Sequence, residues 1–244
     1  MIEIRNLSKS FNGSAVWTDV EMDIRNGETL AIIGQSGSGK SVLLKHLNAL
    51  LYPDQGEVRI DGENIFNMDY VKLRKVRQRF GVLFQGAALF DSINTFENVA
   101  FPLRYFTKYS ETQIREQVME ALGMVNLSGS EDKQTAELSG GMRKRVALAR
   151  AIILQPEYLL YDEPTSGLDP QTSDEINELI INLAERLDIT SIMVTHDIHS
   201  VLRVAEKVAF LHKQRLCWYG NVEDMRISED RDLRRFITAS EFKL

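Results

Sequence analysis

The segment Gly34-Gln35-Ser36-Gly37-Ser38-Gly39-Lys40-Ser41 combines the residue types needed to hold a polyanion. Its glycines let the backbone bend until successive N–H groups point inward at phosphate oxygens, and a helix starting near Lys40 adds the positive end of its dipole. Four residues separate Gly34 from Gly39-Lys40-Ser41, which is the phosphate-loop spacing. Lys40 can then bridge the β- and γ-phosphates, and the Ser41 hydroxyl suits Mg²⁺, which favours oxygen ligands shared with phosphate and water. The ligand implied is a nucleoside triphosphate.

A second constellation lies in Tyr158-Leu159-Leu160-Tyr161-Asp162-Glu163, where two carboxylates close an apolar run. An open parallel sheet places its ligand crevice at such strand ends. Asp162 is expected to hold Mg²⁺ through water, and Glu163 to act as general base on the attacking water. Acidic residues in an ordinary loop are the plainer reading, and Lys40 weighs against it.

These groups need a scaffold. Ile2 to Leu7, Val16 to Ile24 and Thr29 to Ile33 read as strands, with a turn at Asn26-Gly27. Thr29-Leu30-Ala31-Ile32-Ile33 is continuously apolar, as in a strand covered on both faces, and it feeds the glycine-rich turn. Helical spacing runs from Ser41 to Leu51 and stops before Pro53; Gly56 to Ile60, with the turn Asp61-Gly62, and Phe80 to Phe84 read as strands. From about residue 86 to 150 the pattern turns helical, with a capping box at Ser110 to Gln113 and Ile114, Val118 and Leu122 on one face before Gly123. Tyr158 to Tyr161 and Ser191 to Val194 flank a helix from about Pro170 to Leu187, an order that implies a parallel sheet. In residues 221 to 244 a thin stripe of Leu233, Phe236 and Ile237 predicts a docked surface helix, a partner-binding tail being the alternative.

Composition narrows the class. A chain of 244 residues with 43% hydrophobic and 26% charged content fits one globular unit. No apolar run reaches the length needed to span a bilayer, and the N-terminus lacks a secretory pattern. Cys217 is the single cysteine, so an intramolecular disulfide and a four-cysteine zinc site are both excluded, and it reads as structural filler. The net charge of −6 argues against nucleic acid as the partner.

A phosphate loop alone leaves many families open. Leu138-Ser139-Gly140-Gly141-Met142, followed by Arg143-Lys144-Arg145 and an Ala/Leu-rich helix, resembles the signature of ABC ATPases. Ser139 can cap a helix whose first N–H groups and whose glycines Gly140 and Gly141 form a second anion site. Further matching elements follow in order: Gln85 after a strand, Ser166-Gly167-Leu168-Asp169 after Glu163, and Thr195-His196-Asp197 after another strand. The resemblance covers nearly the whole chain. It implies an α/β fold: a phosphate-loop NTPase with a RecA-like core sheet, an N-terminal antiparallel β subdomain and an inserted helical subdomain. The core lobe would comprise about 1–85 and 151–220, the helical lobe about 86–150 and the tail about 221–244.

The same resemblance implies the remaining roles. Gln85 would sense Mg²⁺ and the attacking water, His196 would contact the γ-phosphate, Asp169 would sit at a dimer seam, and Phe11 would stack on adenine. His196 in isolation reads as a structural histidine, and His196 with His199 as a metal pair is a weaker alternative. Ser139, Gly140 and Gly141 would meet the ATP held by the other subunit, giving a head-to-tail, ATP-dependent dimer of the chain. Met142 departs from the family's usual glutamine, whose hydrogen bonds a thioether cannot reproduce.

Met142 and the segment from Leu83 to Arg104 are similar to the ATPase of bacterial Mla/Mce-type phospholipid transport systems. That similarity implies an integral membrane permease dimer, a membrane-anchored substrate-binding protein and a small cytoplasmic regulatory subunit as partners, at the cytoplasmic face of the inner membrane. Polar amino-acid uptake is the nearest alternative. A non-transport ABC ATPase acting on nucleic acid or ribosomes is the lower one, because neither a second ATPase domain nor a long heptad pattern occurs. A basic cluster at Lys72, Arg74, Lys75, Arg77 and Arg79 reads as a solvated face, with anionic headgroups as the competing explanation.

Overall fold

The computed structural model describes residues 1–241. In chain order the elements are β1 (Ile2–Phe11), β2 (Ser14–Ile24), β3 (Thr29–Ile33), α1 (Lys40–Leu47), β4 (Gln55–Ile60), β5 (Glu63–Asn64), α2 (Tyr70–Gln78), β6 (Phe80–Leu83), α3 (Thr95–Phe106) and α4 (Glu111–Met124). There follow α5 (Gly140–Ile152), β7 (Tyr158–Asp162), α6 (Pro170–Leu187), β8 (Thr190–Thr195), α7 (Ile198–Val204), β9 (Lys207–His212), β10 (Arg215–Asn221), α8 (Val222–Ile227) and α9 (Arg231–Glu241). The chain divides into two compact units, Met1–Arg77 with Thr190–Leu244, and Gln78–Ile189. This partition differs from the lobe boundaries expected from the sequence.

The first unit holds an antiparallel sheet in the order β2-β1-β4-β5. Two of its turns, Asn12-Gly13 and Asp61-Gly62, are two-residue hairpin loops with both residues left-handed, the backbone twist that suits a tight hairpin. Beside it in sequence is the layer β10-β9-β3-β8, in which β3 pairs in parallel with both β8 and β9. Every residue of β3 and β8 is buried, which is why neither alternates polar with apolar side chains. Against β8 packs α1, turning Leu43, Leu44 and Leu47 inward.

Helix α1 stops at Leu47 rather than at the expected Leu51. Ala49 turns left-handed (φ 53), and the Leu51 N–H reaches back to the Lys45 carbonyl at 3.0 Å, closing the helix end. Arg77 donates to the carbonyls of Asn48 and Ala49 at 3.2 and 2.7 Å, so this member of the basic cluster is a structural clamp. In the C-terminal region α8 and α9 replace the single helix expected: Leu233 is fully buried and the Phe236 ring lies 5.3 Å from that of Phe210. Residues 242–244 of the expected tail lie outside the described residues. Cys217 is exposed on β10, so it fills no core, and its Sγ lies 3.2 Å from the His212 carbonyl.

The second unit pairs β6 with β7 in parallel, Leu83 opposite Tyr161. Helix α5 packs on β6 and also meets α3, α4 and α6. The Ser110 to Gln113 capping box is formed, but α4 runs through Gly123 to Met124. A glycine costs a helix only about 1 kcal/mol, and Ile114, Val118, Ala121 and Leu122 are buried along this one. Left-handed Asn126 (φ 57) marks the turn that follows. Helix α6 spans the range expected, with Asp169 as N-cap and Pro170 in its first turn. Arg79, another of the basic cluster, forks onto Glu157 at 2.8 and 2.6 Å.

Candidate active site

In the first unit the anion site starts where β3 ends. Gly34 follows Ile33, and Ile33 pairs with Thr195, so Gly34 and His196 leave adjacent strand ends. The loop closes into α1 at Gly39, whose left-handed backbone (φ 89) turns the chain into the helix. Trp17, fully buried, packs against this turn and donates its indole N–H to the Gly39 carbonyl at 3.4 Å. Lys40 is buried, and its ammonium donates to the Gly34 carbonyl at 2.9 Å and the Gln35 carbonyl at 3.2 Å. The loop is therefore curled around a cation.

Gln35, Ser36 and Gly37 are exposed at the crest of the loop. Ser38 Oγ is buried without a hydrogen-bond partner among the described residues. A hydroxyl left without a protein partner, in a loop that already holds a buried ammonium, fits a phosphate oxygen. His196 is exposed after β8, as access to a ligand requires. Phe11, also exposed, lies under the Lys9 ammonium at 5.3 Å and offers an open ring face for stacking. Ser41 opens α1 and supplies an aliphatic hydroxyl, a hard oxygen of the kind Mg²⁺ takes.

In the second unit Asp162 closes β7, Glu163 follows it, and Gln85 lies just beyond β6. The parallel β6–β7 register puts them at the same strand ends. The Gln85 side chain donates to Ser166 Oγ at 3.4 Å. Glu163 has a left-handed backbone (φ 48), which a non-glycine residue adopts only where its surroundings impose it. Asp162 and Gln85 both offer oxygen donors, again the chemistry Mg²⁺ accepts.

The signature turn is built as a helix N-terminus. Ser139 caps α5, its Oγ accepting the Met142 N–H at 3.2 Å, and Gly140 and Gly141 form the first turn. Gly141 lies so close to Thr172 at the start of α6 that an added Cβ would fall 2.5 Å from its methyl group. Asp169 accepts from the Thr172 N–H at 3.0 Å and from the Thr172 hydroxyl at 2.6 Å, and these bonds hold its carboxyl below the ordinary range. The Met142 side chain lines an open cleft of about 660 Å³ with Leu127, Arg145, Glu175 and Leu179.

Three residues that the sequence did not single out organise this unit. Lys144 is buried on α5, and its ammonium donates to the Gln85 carbonyl at 2.5 Å and the Glu163 carbonyl at 3.2 Å. Burial pushes its pKa down, opposed by the negative charges of Asp162 and Glu163. Arg150, on the same helix, donates to the carbonyls of Ala87 and Ala88, both at 2.9 Å. Asn98 on α3 is fully buried and pins the segment further on: it accepts from the Phe90 N–H at 2.8 Å and donates to the carbonyls of Phe90, Ile93 and Asn94. One sequence signal existed, since Gly141, Lys144 and Leu148 recur at the spacing of a buried helix face.

Comparison with known proteins places this geometry. Residues 17–166 match the family model described as ABC transporter. The chain is 44% identical over 236 residues to a protein of Mycobacterium leprae named probable ribonucleotide transport ATP-binding protein mkl, covering 97% of this chain and 68% of that one. It is 40% identical over 237 residues to the intermembrane phospholipid transport system ATP-binding protein MlaF of Haemophilus influenzae, covering 97% of this chain and 90% of MlaF. Among solved structures, the ATP-binding cassette MJ0796, a dimer in a post-hydrolysis state bound to ADP and Pi, superposes with a TM-score of 0.83 at 31% identity, covering 91% of this chain and 99% of that one. With a lysine-centred phosphate loop, a serine-capped signature helix and this match along its length, the chain belongs to the ABC transporter family and has the fold of its ATPase cassettes.

Proposed function

We propose that the chain is the ATP-hydrolysing subunit of a transporter that moves phospholipid between bacterial envelope membranes through a separate permease. The loop curled around Lys40, with Ser38 Oγ left unpaired, carries the ATP part of this reading. The cargo rests on similarity to MlaF across 90% of that protein's length. The relative named for ribonucleotide transport is longer, this chain spanning 68% of it. Exposed Phe101 and Tyr105, one turn apart on α3, and Phe90, whose ring lies 4.9 Å from that of Phe101, support a membrane-protein partner, being large apolar groups on one stretch of surface.

Each copy carries one phosphate loop and one signature, so a head-to-tail pair clamps two ATP molecules between Lys40 of one copy and Ser139 of the other. Mg²⁺ would supply charge neutralisation on the phosphates, and Ser41 in the first unit, and Asp162 and Gln85 in the second, are the candidate oxygen ligands each unit would offer it. Lys40, His196 and the N–H groups at the head of the opposing α5 stabilise charge that develops as phosphate leaves for water. Glu163 takes the proton from that water. No helix among the described residues is long and apolar enough to cross a membrane. The assembly we infer is peripheral to the cytoplasmic face of the inner membrane, with a permease dimer, a membrane-anchored substrate-binding protein and a small cytoplasmic regulatory subunit.

The test is co-purification of the tagged chain from its native membrane in mild detergent, followed by identification of the accompanying polypeptides and extractable lipid. A permease with a membrane-anchored subunit enriched in phospholipid supports the proposal. A permease with a nucleotide- or amino-acid-binding protein replaces the cargo, and ribosomes or DNA without a permease overturn the transporter reading.

A further inference from the structure

Helix α5 begins at the signature turn, packs on β6 and carries two buried or clamped cations along its length. Lys144 binds the backbone carbonyls of Gln85 and Glu163, the two residues whose side chains the proposed mechanism places at the water. Arg150 binds the carbonyls of Ala87 and Ala88 two and three residues after Gln85. The segments so held are strained: Ala87, Ala88 and Glu163 have φ of 60, 49 and 48. Left-handed non-glycine residues persist only where their surroundings over-determine them. Here the over-determination comes from one helix.

A lysine suits this position for a physical reason. Its ammonium is a compact charge with three donors that need not lie in a plane, so it can serve carbonyls arriving from two different loops. Hydrogen bonds from a buried charge to carbonyls are short and strong, so removing the ammonium takes a charged donor from both loops at once.

We propose that Lys144 is a positioning residue that ties the signature turn at the head of α5 to Gln85 and Glu163 through their backbones, so that engagement of the signature by the opposing copy's nucleotide is transmitted to the general base. This deepens the ATPase reading and rests on it for the word base; the structural tie itself does not. Two backbone N–H groups report the tie directly. The Ala87 N–H bonds the Phe84 carbonyl at 2.9 Å, and the Ser166 N–H bonds the same Glu163 carbonyl that Lys144 holds, at 3.2 Å.

The experiment compares hydrogen exchange of the full chain with that of Lys144→Met and Lys144→Arg, alongside steady-state ATP hydrolysis with Mg-ATP. In Lys144→Met, exchange at residues 85–88 and 163–168 rises about tenfold while residues 29–47 stay within about twofold of the parent. The turnover number falls about tenfold or more with KM for ATP changed less than about threefold, and Lys144→Arg, which keeps the charge but replaces the compact ammonium with a planar fork, falls between the parent and Lys144→Met in both readouts. Unchanged exchange in both windows overturns the proposal, as does a rise spread evenly along the chain in a folded variant. If Lys144→Met does not fold, Lys144→Gln is measured the same way, and unchanged exchange in it overturns the proposal equally. A parent chain that hydrolyses no ATP would sink the ATPase reading, while the exchange data would still decide whether Lys144 holds the two carbonyls.

Discussion

Replacing Gly39 by alanine separates two costs that the phosphate loop avoids. Gly39 has φ 89, a conformation costing an L-residue about 1–2 kcal/mol. An added Cβ would also lie 2.3 Å from Val16 Cγ1 and 2.7 Å from Trp17 Cδ1 and Nε1. Trp17 is fully buried and cannot swing away, so overpacking adds about 1–3 kcal/mol. Gly37 is the control, because it too is left-handed (φ 81) but its Cβ would meet nothing within 4 Å. In a chain of this size 1 kcal/mol moves the melting temperature by about 2–4 °C. Gly37→Ala should therefore lower it by about 2–8 °C and Gly39→Ala by about 4–20 °C, the gap between them measuring the collision with Val16 and Trp17. Thermal unfolding followed by circular dichroism, without nucleotide, reads both. Equal drops, or a smaller one for Gly39→Ala, would refute the account of Val16 and Trp17 as the wall behind the loop.

Three further outcomes follow from the site and its supports. Glu163→Gln should bind ATP as the parent does, stop hydrolysing it and accumulate as a dimer on size exclusion, whereas Lys40→Ala should lose nucleotide binding; parental turnover in Glu163→Gln would remove its assignment as base. Asn98→Ala should destabilise by about 1–3 kcal/mol, because the Phe90 N–H and the carbonyls of Phe90 and Ile93 lose their Asn98 partner, and an unchanged melting temperature would contradict the bonding described. Bonds to Lys9 and Ser10 hold the Asp54 carboxyl down at about 2, from 3.8. A depressed carboxyl stabilises above its unfolded pKa and loses that contribution as pH falls through the folded one. The advantage of the parent over Asp54→Asn in melting temperature should thus be present at pH 6 and shrink as pH drops from about 4 towards about 2.

Where a sequence feature acts locally, it was readable. Gly34 to Ser41 announced its loop, Ser110 and Gln113 their capping box, and Asp169-Pro170 the start of α6. Each of these is a rule about neighbours in the chain. Ala49 could not be foreseen as the end of α1, since nothing marks an alanine for the left-handed region. Gly123 misled in the opposite sense, because burial of its helix outweighs the propensity of one residue. Arg143-Lys144-Arg145 is three consecutive cations in the sequence, and only the packing of α5 shows that the middle charge is inside. What Lys144, Arg150 and Asn98 do depends on carbonyls from about 4 to more than 60 residues away, and no local pattern encodes such partners.

The outward-facing thiol on β10 is the only one in the chain, so a spin label or fluorophore attached there sits at a single known position with no cysteine to engineer away. Burial and the nearby Asp230 and Asp232 charges keep that thiol protonated above the usual range, so coupling is slow at neutral pH and accelerates in mild alkali. Two copies that close around nucleotide would carry one label each, and therefore define one distance. The native sequence supplies its own ruler for following the proposed nucleotide-driven closing and reopening of the pair in real time.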